Sequence, residues 1–66
     1  MATVKVIELL SGSPKSWTDA TDLAIKKASK TIRGIRSANV HNLSVTVENG
    51  KIKEYRVNVK LTFALD

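Results

Sequence analysis

The stretch EYRVNVKLTFALD, residues 54–66, decides the fold. Tyr55, Val57, Val59, Leu61, Phe63 and Leu65 are apolar, while Arg56, Asn58, Lys60 and Thr62 between them are polar. Side chains of a strand point alternately to two faces, so a period of two specifies a strand with one face on a core. It runs from about Lys51 to Leu65 and, at about 3.3 Å per residue, approaches 50 Å. Before it stands ENGK, residues 48–51. Asn-Gly between two alternating runs is the strongest short hairpin signal, because a type I′ turn needs positive φ at both central residues. The partner strand covers about Ala38 to Glu48. Leu43, Val45 and Val47 alternate, but Val40 has the opposite parity, and a bulge near His41–Asn42 reconciles the two halves.

Further upstream, TVKVIELL (residues 3–10) alternates and is β-branched, which predicts a first strand. The turn SGSPKS follows, punctuated by Gly12 and Pro14. Ser16 precedes Trp17, with Asp19 three places on, a capping box with Asp in place of Glu. The spacing of Trp17, Ala20, Ala24, Ala28, Ile32 and Ile35 predicts a helix from about Trp17 to about Ile35. Leu23 and Ile25 flank this stripe, whose three alanines let the helix lie close to a sheet. Asp19 and Asp22 come early, and Lys26, Lys27, Lys30 and Arg33 come late, an order that complements the helix dipole. Asp22 and Lys26 are spaced to pair, and Gly34 suits the helix C-terminus.

The fold class is therefore α+β, in the order β-α-β-β, as one domain over residues 1–66. If the first strand adds to the free edge of the last, the sheet is three-stranded, antiparallel throughout and wrapped around the helix. A helix of about 28 Å cannot cover a sheet approaching 50 Å. The uncovered part meets another subunit or stays wet.

A chain of 66 residues buries only about 60% of its unfolded surface, so such chains usually need a staple. There is no cysteine, which excludes disulfides and thiolate metal sites, and a lone His41 cannot build a zinc site. Oligomerisation is the staple left. The net charge of +5 favours anionic partners. The stretch VKVIELL is too short and too charged for a signal peptide or a membrane span, so a soluble, cytoplasmic protein without membrane contact is expected.

His41 has neither a cysteine nucleophile nor a carboxylate close in sequence, so an enzyme is not expected. The acids Glu8, Asp19, Asp22, Glu48, Glu54 and Asp66 form no EF-hand pattern, though symmetry in an assembly would gather copies of one acid. SGSPKS lacks the closing Gly-Lys-Ser/Thr of a P-loop and is better read as a turn. The helix cations spread over more than one face, and of the aromatics Trp17, Tyr55 and Phe63 two fall on core positions. A stacking platform for nucleic acid is not expected.

Three segments together carry a resemblance: VKVIELLSGSPKSW (4–17), IKKASKTIRGI (25–35) and KEYRVNVKLTFALD (53–66). The Val-rich strand, the Ser-Pro turn with an aromatic at the helix start, and the ending Phe-x-Leu-Asp resemble the dodecins. The resemblance implies a three-stranded antiparallel sheet partly wrapped around one helix. It also implies a hollow homododecamer used for flavin storage, not catalysis. Many dodecins stack FMN or riboflavin between tryptophans of two subunits, with a glutamine on the last strand bonding the ring.

This chain has Ser37 where that tryptophan stands and Arg56 where that glutamine stands. A serine has no π-face, and a guanidinium cannot accept a hydrogen bond. The pattern is similar to a subgroup without the tryptophan, some of whose members are associated with calcium. No cofactor is thus assigned, with flavin disfavoured and calcium open. Arg36, Ser37 and Arg56 are the candidate ligand-binding residues: the arginines for an anionic or flavin-like molecule, Ser37 as the vacated stacking position. Arg56 has the alternative of an interface ion pair with an acid such as Glu54 or Glu48.

Overall fold

In the computed structural model, which describes residues 3–65, Asn49 and Gly50 have φ of 53° and 74°. Both central residues of the turn are thus left-handed, as a type I′ hairpin requires. The turn joins β2 (Ile35–Glu48) to β3 (Lys51–Ala64). Upstream lie β1 (Val4–Ser13) and α1 (Trp17–Ser29). β1 pairs with the other edge of β3, giving the order β1-β3-β2, antiparallel throughout. The expected architecture is the observed one. The register of β2 slips between Val40 and Asn42, where parity demanded a bulge, and also between Ile35 and Ser37 and between Thr46 and Val47.

The core follows the alternation. Val57, Val59 and Leu61 are buried, and they pack with Ala20, Ala24 and Ala28 of α1. Ile7, Leu9, Ile25, Ile32, Ile35 and Ala38 close in around them. Every contributor from β3 is odd-numbered, so the even face points away from the helix. Ser16 caps α1, its Oγ accepting from the Asp19 N–H at 2.9 Å. The Asp19 carboxylate accepts instead from the fully buried Ser13 hydroxyl, whose oxygen takes the Lys15 N–H at 3.0 Å. Lys26 meets Asp22 at 3.0 Å. The hydrogen bond to Asp22, and then its charge, hold the Lys26 ammonium above the ordinary lysine range.

The helix is shorter than its apolar spacing predicts. It ends at Ser29 with Lys30 as its cap, where the Thr31 and Ile32 N–H groups share the Ala28 carbonyl at 3.1 and 2.8 Å. Ile32 and Ile35 still touch the core, one from the turn and one from β2, so the stripe outlasts the helix. Gly34 does not terminate the helix: at φ 74° it turns the chain into β2, and its carbonyl takes the Ala64 N–H at 3.0 Å. β2 accordingly begins at Ile35, earlier than Ala38.

Thirteen helical residues span about 20 Å, against a molecule 50 Å long. The sheet therefore outruns its cover. Leu43, Val45, Val47 and Ile52, on or continuing the helix-side face beyond the helix, are exposed. The radius of gyration is 13.4 Å, against about 11 Å for a compact chain of this length. The accessible surface is 4910 Å², against about 4,100 Å² for a monomer of this mass.

Candidate functional site

The sheet face turned away from α1 carries the candidate chemistry. Arg56 stands between Gly12 on β1 and Ser44 on β2. One step toward the hairpin tip, Glu54 faces Thr46; one step the other way, Asn58 lies between Leu10 and Asn42. The Glu54 carboxylate lies directly over the Gly12 backbone, in the space a side chain there would need. From that seat its Oε1 lies 3.7 Å from Arg56 Nε, with both side chains close to half exposed. An exposed pair at this distance contributes little stability, roughly 0–1 kcal/mol. It does set direction, since one edge of the guanidinium faces Glu54. Beside the pair, Thr46 Oγ1 and Asn58 Oδ1 are shielded and have no hydrogen-bond partner.

Arg36 and Ser37 lie elsewhere. Both are exposed at the start of β2, with Arg36 at the register slip and Ser37 opposite Thr62. Thr62 and Arg56 are six positions apart on β3, a span of about 20 Å. One chain therefore does not bring Ser37 and Arg56 together. The single tryptophan is engaged elsewhere again. Trp17 packs edge-on against Tyr55, with ring centres 5.1 Å apart, and its Nε1–H donates to the Ser44 carbonyl at 3.0 Å. No aromatic ring thus occupies the position of Ser37. His41 is the extra residue of the β2 bulge and is exposed. Among the described residues no three His, Cys, Asp or Glu side chains gather at a distance that would hold a metal ion. Asp66 lies outside the described residues.

The period of two already places Glu54, Arg56 and Asn58 on one face. The seat on Gly12 escaped sequence reasoning, because it depends on the register of β1 against β3. The proximity of residues 12 and 54 has no local signal.

The chain matches the family described as Dodecin over residues 3–66. It belongs to the dodecin family. Among curated proteins it is similar to the calcium dodecin of Mycobacterium tuberculosis, 29% identical over 65 residues, 98% of this chain and 92% of that protein. The dodecin of Streptomyces coelicolor superposes with a TM-score of 0.95 at 29% identity, covering 98% of this chain and 93% of that one. The crystal structure of the M. tuberculosis calcium dodecin is described as calcium chelating, with a novel calcium-binding site. It superposes with a TM-score of 0.86 at 32% identity, over 98% and 93% of the two chains. The dodecin fold inferred from the three sequence segments is thus the fold of these relatives.

Proposed function

We propose that this dodecin is a non-enzymatic, cytoplasmic binding protein whose twelve copies form a hollow shell that sequesters a small anionic or flavin-like ligand between subunits. The observation that carries the assembly is the uncovered half of the β2–β3 hairpin. Four aliphatic side chains there, Leu43, Val45, Val47 and Ile52, are exposed where no helix of the same chain reaches. Apolar surface of this extent signals a partner. Arg36, Ser37 and Arg56 are the proposed ligand residues. Because Ser37 and Arg56 stand about 20 Å apart within one chain, a ligand touching both meets them on different subunits.

Stacked flavin does not fit these residues, since Ser37 offers no ring and Trp17 is held against Tyr55. The similarity to a calcium dodecin supports a second reading, an ion-binding shell. One chain supplies no acid cluster among its described residues, so such a site draws its acids from several copies.

Light scattering tests the assembly, with about 86 kDa expected for twelve copies of the 7.2 kDa chain. A monomer or dimer mass would remove the reading. Riboflavin fluorescence tests the ligand class: the wild type should quench it weakly and Ser37→Trp more strongly. Tight quenching by the unaltered protein would show the usual flavin mode intact. Calorimetric titration with calcium separates the two readings, since heat saturating at a fraction of an ion per chain marks a shared axial site.

A further inference from the structure

We infer that Asn49, at the tip of the β2–β3 hairpin, is a site of spontaneous covalent modification, losing its side-chain nitrogen as ammonia to give aspartate and isoaspartate. The inference is independent of the proposed assembly and ligand.

The step is intramolecular. The Gly50 backbone nitrogen attacks Asn49 Cγ and gives up its proton. The N–Cγ bond forms, and the Cγ–Nδ2 bond breaks to release ammonia. The five-membered imide that results takes up one water. Opening at one carbonyl gives aspartate; opening at the other gives isoaspartate, in which the main chain runs through the former side chain. Water is the only co-reactant, and nothing is oxidised or reduced.

The structure selects Asn49 among the four asparagines. Ring closure needs a reachable nitrogen, a following residue without bulk and a backbone free to rotate. Asn49 and Gly50 are both exposed, and a side chain at Gly50 would meet nothing within 4 Å. Among the described residues the Gly50 N–H makes no backbone hydrogen bond. The last ladder pair is Glu48 with Lys51, so the Asn49–Gly50 peptide lies outside the ladder, just beyond the register slip between Thr46 and Val47. Exposed ends of this kind open locally at small cost. Asn39, Asn42 and Asn58 stand inside strands, Asn39 paired with Lys60 and the other two with each other. They precede Val40, Leu43 and Val59, whose bulk shields the following nitrogen.

The two products differ in their effect on the hairpin. Asp-Gly suits a type I′ turn as Asn-Gly does, so aspartate keeps the turn and lowers the chain's charge of +5 by one. Isoaspartate inserts an extra backbone carbon between positions 49 and 50. A two-residue loop with φ of 53° and 74° has no room for it while Glu48 still pairs with Lys51, so this product loosens the hairpin.

The test ages the folded protein in mildly alkaline buffer and digests it with trypsin beside an unaged control. The peptide 37–51 carries Asn39, Asn42 and Asn49, so two internal controls travel with the site. The expected result is a mass gain of about 1 Da confined to Asn49, with isoaspartate shown by isoaspartyl methyltransferase labelling. Asn49→Gly keeps the type I′ turn and should abolish the gain. No gain at residue 49, or an equal gain at Asn39 or Asn42, overturns the inference. The isoaspartate form, separated by chromatography, should melt below the wild type, while Asn49→Asp melts with it. An isoaspartate form that melts with the wild type overturns the account of the turn.

Discussion

Replacing Gly12 by alanine should be less favourable with Glu54 in place than without it. Gly12 does not have a positive φ, so its backbone suits alanine. Removing a glycine from a strand interior should stabilise by about 0.5–1 kcal/mol. Against this, the new Cβ would lie 2.5 and 2.8 Å from the two Glu54 carboxylate oxygens. The carboxylate must swing away. An off-rotamer side chain costs about 0.5–1.5 kcal/mol, and losing the half-exposed Arg56 contact costs roughly 0–1 kcal/mol more. With Glu54 in place, Gly12→Ala should therefore fall between slightly stabilising and about 2 kcal/mol destabilising. In a Glu54→Ala background the obstruction is gone, and only the gain of about 0.5–1 kcal/mol remains. Thermal melts of the four proteins at one concentration read the difference, since 1 kcal/mol moves Tm by about 4–8 °C for a domain of this size. The concentration must be held fixed because the Tm of a self-associating protein depends on it. Equal Tm shifts from Gly12→Ala in both backgrounds would refute the seating of Glu54 on Gly12.

Two further outcomes follow from the core and the cap. Ala24→Leu inserts bulk where the buried alanine stripe lets α1 approach β3, and should cost about 1–3 kcal/mol; an unchanged melting temperature would mean that the helix does not lie against the sheet there. Ser16→Ala removes the acceptor of the Asp19 N–H and should cost about 0.5–2 kcal/mol in denaturant unfolding; no shift in midpoint would show the cap to be idle.

The elements that the sequence revealed are those with local signals. The alternation through β3, the Asn49–Gly50 turn and the parity break at His41 depend on near neighbours, and all three stand in the structure. The helix ends before its apolar spacing does, for a physical reason. Ile32 and Ile35 serve the core from outside the helix, so apolar spacing continued where the helix did not. Asp19 followed the capping pattern only by half, because the buried Ser13 hydroxyl claimed its carboxylate. The candidate site was legible as residue types but not as a place. That Glu54 sits over Gly12, and that Ser37 lies far from Arg56, depends on strand register, which pairs residues distant in sequence.

The strand order β1-β3-β2 also has a consequence in time. Val4 pairs with Ala64, so the first strand finds its place only against the last. During synthesis β1 and α1 exist before Val57, Val59 and Leu61, the surface against which the alanine stripe is buried. The β2–β3 hairpin is the sole sheet contact closed by a short turn, and loop closure favours such contacts over distant ones. The nascent chain thus carries an unpaired first strand, and a helix without its β3 partner, until β3 has been made.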